Sequence, residues 1–137
     1  MRRTGCIVLL GDFSNERLDL TSIGRDFGWS VSQTLNLAGL REIGRSSTVV
    51  SVLLHAGALG LPWPAALRAV RAAEPQARII VCHKADQAHS RTEMIDAGAF
   101  GVLLSPLAHS EVRQSLGFVW AGRIRPISAR VQRVGAA

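Results

Sequence analysis

The chain has 137 residues, enough to bury a core and few enough for one domain, and its 47% apolar content lies well above that of disordered sequences. No apolar stretch approaches the roughly 20 residues of a membrane span, so no membrane-spanning helix is expected in these residues. The formal charge of +6 comes from 16 basic residues, all arginine except Lys84, and only Arg123, Arg125, Arg130 and Arg133 cluster, whereas a nucleic-acid footprint gathers basic charge on one face.

The opening "MRRTGCIVLLGDF" carries two arginines and a short apolar run, "CIVLL" (6–10). Gly11-Asp12 ends the run and no A-x-A site follows, so it predicts a first strand rather than a signal peptide. Leu18, Leu20, Ile23 and Phe27 share one face of a helix predicted over 15–27, with Gly28 as its stop. "WSVSQTL" (29–35) alternates with Ser30, Ser32 and Gln33, as expected of an edge strand with one wet face. Leu37, Leu40 and Ile43 predict a second helix closed by Gly44. "TVVSVLL" (48–54) is β-branched and unalternating, the pattern of a strand covered on both faces.

Pro64 suits a first helical residue, and Leu67 and Val70 follow on one face until Glu74-Pro75. "RIIVC" (78–82) is a fourth strand. Ser90-Arg91-Thr92-Glu93 has the form of a capping box, opening a helix that stops at Ala97-Gly98. "GVLL" (101–104) is a fifth strand, and Val112, Leu116, Val119 and Trp120 mark a last helix closed by Gly122. Cys6 and Cys82 lie inside apolar runs and are expected to be buried free thiols, not a disulfide.

Five β-α units with short connections predict an α/β doubly wound parallel sheet with helices on both faces. Ligands of such sheets bind at the carboxyl ends of the strands. Those ends carry Asp12, His55, His83 and Ser105, which are expected to converge.

From these residues on, the chain resembles the CheY-like receiver domain of two-component response regulators, nearest the NarL/FixJ/LuxR type. The resemblance spans 5–131 and rests on "AAEPQARIIVCHKADQAHSRTEMIDAGAFGVLLSPLAHSEV" (72–112), above all Ala97-Gly98-Ala99-x-Gly101 and Pro106. "WAGRIRPISARV" (120–131) is similar to the family's last helix and the linker to a DNA-binding domain. The resemblance implies a five-stranded sheet of order 2-1-3-4-5, receiver-like over 1–122, followed by a basic tail or linker, 123–137.

The family's chemistry is phosphoryl transfer to an aspartate ending the third strand. It also uses an acidic pair after the first strand for Mg²⁺, a hydroxyl after the fourth and a lysine after the fifth. Here the pair is reduced to Gly11-Asp12, the acceptor position falls on His55 or a near neighbour, the hydroxyl position is His83 and the lysine position is Ser105. No Asp or Glu lies between Ile43 and Ala73, so no shift of alignment restores an acceptor. The resemblance therefore implies a degenerate pseudo-receiver, without catalytic residues or cofactor, cytoplasmic, and acting through its surface.

In the family, the face of the fourth helix, fifth strand and fifth helix pairs subunits or docks an output domain. The matching residues are Ile95, Leu104, Val112, Leu116 and Trp120, bordered by Arg91 and Arg113, for a homodimer or a signalling partner. Two alternatives have other sources. The tail could lead to a helix-turn-helix domain or make weak, salt-sensitive phosphate contacts of its own. Asp12, His55 and His83 could bind a transition metal, although neither histidine has a ligand at helical spacing. An enzyme of this fold class finds no nucleophile–base pair. Asp26-Phe27-Gly28 and Gly57-Ala58-Leu59-Gly60 lack the context of a kinase or phosphate-loop motif.

Overall fold

The structure is a computed structural model that describes residues 5–84 and 91–124, without the side chain of Ile124. The apolar runs form β1 (Gly5–Leu10), β2 (Ser30–Thr34), β3 (Thr48–His55), β4 (Arg78–Lys84) and β5 (Gly101–Ser105). Between and after them run α1 (Leu20–Asp26), α2 (Leu37–Ser46), α3 (Trp63–Ala73), α4 (Arg91–Asp96) and α5 (His109–Ile124). All strand pairs are parallel and the order is β2-β1-β3-β4-β5, as expected.

Strand alternation sorts the core into two layers. Val8, Leu10, Val52, Leu54, Val81 and Val102 meet Leu40, Leu67, Val70 and Met94 from α2, α3 and α4. Ile7, Leu9, Leu53, Ile80, Cys82 and Leu103 meet Ile23, Val112, Leu116 and Val119 from α1 and α5. Side chains such as Leu10, Leu54 and Ile80 are at most 1% exposed, and each such burial contributes about 1.5–3 kcal/mol. Ser51, polar and fully buried in β3, is satisfied by donating its hydroxyl to Arg78 O at 2.8 Å. Cys6 and Cys82 are free and buried, one in each layer. Among the described residues no helix is long and apolar enough to cross a membrane.

The helix ends differ from expectation for identifiable reasons. The first helix starts at Leu20, not 15, because Asp19 is its N-cap and accepts from Ser22 N at 3.0 Å. The segment before it is pulled across the sheet end by Glu16, described below. Gly44 does not close α2, which runs on to Ser46; a β-carbon there would collide with the Glu74 carboxylate. Gly122 likewise lies inside α5, which crosses the boundary expected at 122. Pro64 takes the second helical position, after Trp63. Ser90 of the expected capping box, and the tail from 125, lie outside the described residues.

Candidate functional site

The carboxyl end of β1 is held very close to that of β3. Gly11 has φ +124°, and a β-carbon on it would sit 2.7 Å from His55 Cβ and 3.0 Å from Ala58 Cβ. Only glycine reconciles that backbone with that approach. Gly11 N donates to Thr34 O at 2.9 Å, and the Gln33 side-chain amide donates to Gly11 O at 3.2 Å, tying the turn to β2. Beyond it, Asp12 accepts from Ser14 N at 2.9 Å. The Ser14 hydroxyl and N–H hold the Asp12 carboxyl below its ordinary 3.8, with the nearby His55 pulling weakly the same way.

His55 is half-buried at the end of β3. Its ring meets Phe13 edge-on at 5.6 Å, and its Nδ1 lies 3.3 Å from Ala56 O. His83, near the end of β4, is 3% exposed, with Nδ1 2.9 Å from Lys84 O. The expected convergence fails here. His55 follows Leu54 and shares the face of Leu53 and Phe13, whereas His83 follows Cys82 and shares the face of Val81. Alternation thus sends the two imidazoles to opposite sides of the sheet. Among the described residues no group of three or more His, Cys, Asp or Glu side chains could hold a metal ion. The Asp12, His55 and His83 set weighed as metal ligands therefore does not assemble.

Ser105 does point towards the His55 side, and it has a partner that the sequence left unread. Its hydroxyl donates to Glu16 Oε1, while Glu16 Oε2 accepts from Leu107 N at 2.7 Å. The Ser105–Pro106 peptide bond between these donors is cis. Cys82 lies beneath: burial pushes its thiol far up, and the Glu16 charge adds to the shift. The site on this side of the sheet therefore comprises Asp12, Phe13, Glu16, His55, Cys82 and Ser105.

No family model matches the chain, and no curated protein does. Solved structures do. The receiver domain of the response regulator TorR of the TMAO respiratory system superposes with a TM-score of 0.70 at 26% identity, over 85% of this chain and 98% of that one. The chain folds as a response-regulator receiver domain. A receiver domain of a putative Luxo repressor protein from Vibrio parahaemolyticus matches this receiver over 99% of both chains, with a TM-score of 0.68 at 11% identity. That of a Pseudomonas aeruginosa PAO1 sensor histidine kinase, which coordinates magnesium in its active-site cleft, matches over 86% of this chain and 98% of its own (TM-score 0.65, 18% identity).

Among the described residues, the carboxyl ends of the strands do not offer a set that fits magnesium. A hard cation asks for several converging oxygen ligands. Here β1 is followed by Gly11 and Asp12, β3 ends in an imidazole, and Glu16 is engaged at Ser105 and Leu107.

The face expected to bind a partner is divided by the structure. Val112 and Leu116 are 1% and 2% exposed; with Val119 they form the inward stripe of α5, so they cannot belong to a surface. Arg113 turns towards α1, where it pairs with Asp26 at 2.6 Å and lies 5.7 Å from the Phe27 ring centre. Gly117 faces Phe27 too, and Trp120, exposed as expected at 42%, follows at i+7 from Arg113, on that same flank. Ile95 and Leu104 are exposed as expected, and Arg91 is exposed at the start of α4. Phe118, which the sequence reading omitted, is 61% exposed. It lies one turn beyond Ser115, whose hydroxyl neighbours Gly101 of β5.

Proposed function

We propose that this receiver is a regulatory interaction module of two-component signalling whose state is independent of phosphorylation. It is a pseudo-receiver that pairs with a second copy or docks a signalling partner. One observation carries the reading: β3 ends in His55, packed against Gly11 and Phe13, with no carboxylate in β3 or in the loop after it. An imidazole nucleophile would need an orienting acid and phosphate donors beside it. The Asp12 carboxylate is bonded to Ser14, and the Ser105 and Leu107 donors are taken by Glu16.

The contact surface is the open edge of the sheet. β5 is an edge strand, and Leu104, Ile95 and Phe118 lie exposed on β5 and its flanking helices. Unpaired strand edges and clustered apolar side chains both favour association. Within this reading Ala97-Gly98-Ala99-x-Gly101 and Pro106 point to the NarL/FixJ/LuxR type, a cytoplasmic regulator of transcription whose DNA-binding output is a separate element.

Incubation with a small phosphodonor and Mg²⁺, followed by intact-mass measurement, is expected to leave the protein without a phosphoryl adduct. A stoichiometric, base-labile adduct would refute the reading. Light scattering over a concentration series is expected to detect self-association that the double substitution Leu104→Glu, Phe118→Glu removes. Should both proteins be strict monomers, self-pairing is ruled out and partner docking remains.

A further inference from the structure

The loop between β1 and α1 makes a connection that neither the sheet nor the surface requires. Glu16 reaches the far end of β5, 89 residues away in sequence, and engages both carboxylate oxygens there. Both donors, the Ser105 hydroxyl and the Leu107 N–H, are neutral, so the chain supplies the anion and the pocket supplies the hydrogen bonds. A carboxylate and a phosphate oxyanion make the same demand on such donors. Glu16 is partly buried over Cys82, whose raised thiol registers the nearby charge after the larger effect of burial.

We propose that Glu16 is a built-in ligand of this receiver. The Ser105 hydroxyl and Leu107 N–H form an oxyanion site that the chain keeps filled with its own carboxylate. Filled, it pins the β1–α1 loop to the β5–α5 connection and excludes inorganic phosphate. The contact thereby holds one end of β5, the strand carrying Leu104, in a single arrangement without an external signal. Switching the module would mean lifting Glu16 from its two donors. The inference deepens the proposed function and rests on it only in taking the pocket to be regulated without covalent phosphoryl transfer.

The test uses the full chain and inorganic phosphate, with neither phosphodonor nor Mg²⁺, so covalent modification does not enter. Backbone amide NMR follows Ser105 and Leu107 during titration, with chloride at matched ionic strength as control. In the wild-type protein neither amide is expected to move saturably. In Glu16→Ala both are expected to move saturably, and adding Ser105→Ala is expected to weaken that response. A site filled by its own side chain nine-tenths of the time lowers apparent affinity about tenfold, so a gain of at least that size is expected. Equal binding by wild type and Glu16→Ala overturns the proposal, and so does a folded Glu16→Ala that fails to bind. If Glu16→Ala does not fold, Glu16→Ser, too short to reach the two donors, decides by the same reading. Failure here leaves the phosphodonor result untouched, so the two readings fall separately.

Discussion

The two flanks of α5 are built from one helix and end in different states. Towards α1 the flank is closed by contacts, with Trp120 still 42% exposed beyond them: Arg113 pairs with Asp26 and lies over Phe27, Phe27 stacks on Trp29 at 5.6 Å, and Gly117 faces the ring. Towards β5 the flank is open, and Phe118 stands in solvent near an edge strand that exposes half of Leu104. An arginine or a tryptophan on α5 thus says little about an interface until its flank is known. Apolar exposure beside an unpaired strand is the more telling feature.

The comparison can be broken from three sides. The largest effect belongs to the inward stripe: Leu116→Ala is expected to cost about 2–5 kcal/mol in denaturant unfolding, whichever flank binds a partner. On the closed flank, Phe27→Ala is expected to cost about 1–2 kcal/mol through its ring contacts. Arg113→Ala is expected to cost only about 0.2–1 kcal/mol, since its ion pair is half exposed. Neither should change the association measured by light scattering. On the open flank, Leu104→Glu and Phe118→Glu are expected to change stability by no more than about 0.5 kcal/mol while abolishing association. Association lost with Arg113→Ala but kept with Phe118→Glu would reverse the assignment.

The smallest effect lies at the sheet end, away from both flanks. The Asp12 carboxyl is expected to titrate below 3.8 by NMR, and Ser14→Ala to move the midpoint upward by removing the hydroxyl bond that is its main cause. Because the folded value is the lower one, the stabilisation is present above 3.8 and fades as pH falls through the folded value. A midpoint unmoved by Ser14→Ala would show that the backbone bond alone holds the carboxylate.

Most of the fold was legible because burial on two faces writes itself as unalternating β-branched runs, and the wet β2 announced its edge position through Ser30 and Gln33. The site was legible by position and not by direction. Asp12, His55, His83 and Ser105 do lie at or beside strand ends, but a one-residue difference in phase sends His83 to the other face from His55. Glu16 left no local signal, since its partners lie in a distant loop and its neighbours resemble the start of a helix. The inward stripe of α5 was read correctly as apolar and wrongly as surface. Helical spacing alone marks a face without saying what covers it.

Arg71 of α3 lies across Gly98 and donates to Ala97 O at 3.2 Å, at the point where α4 ends. At Gly98, φ is +114°, and a β-carbon there would run into the guanidinium. The end of α4 is therefore tethered to a neighbour on its own side of the sheet. Tilting α4 under a bound partner must either snap that tether or drag α3 along.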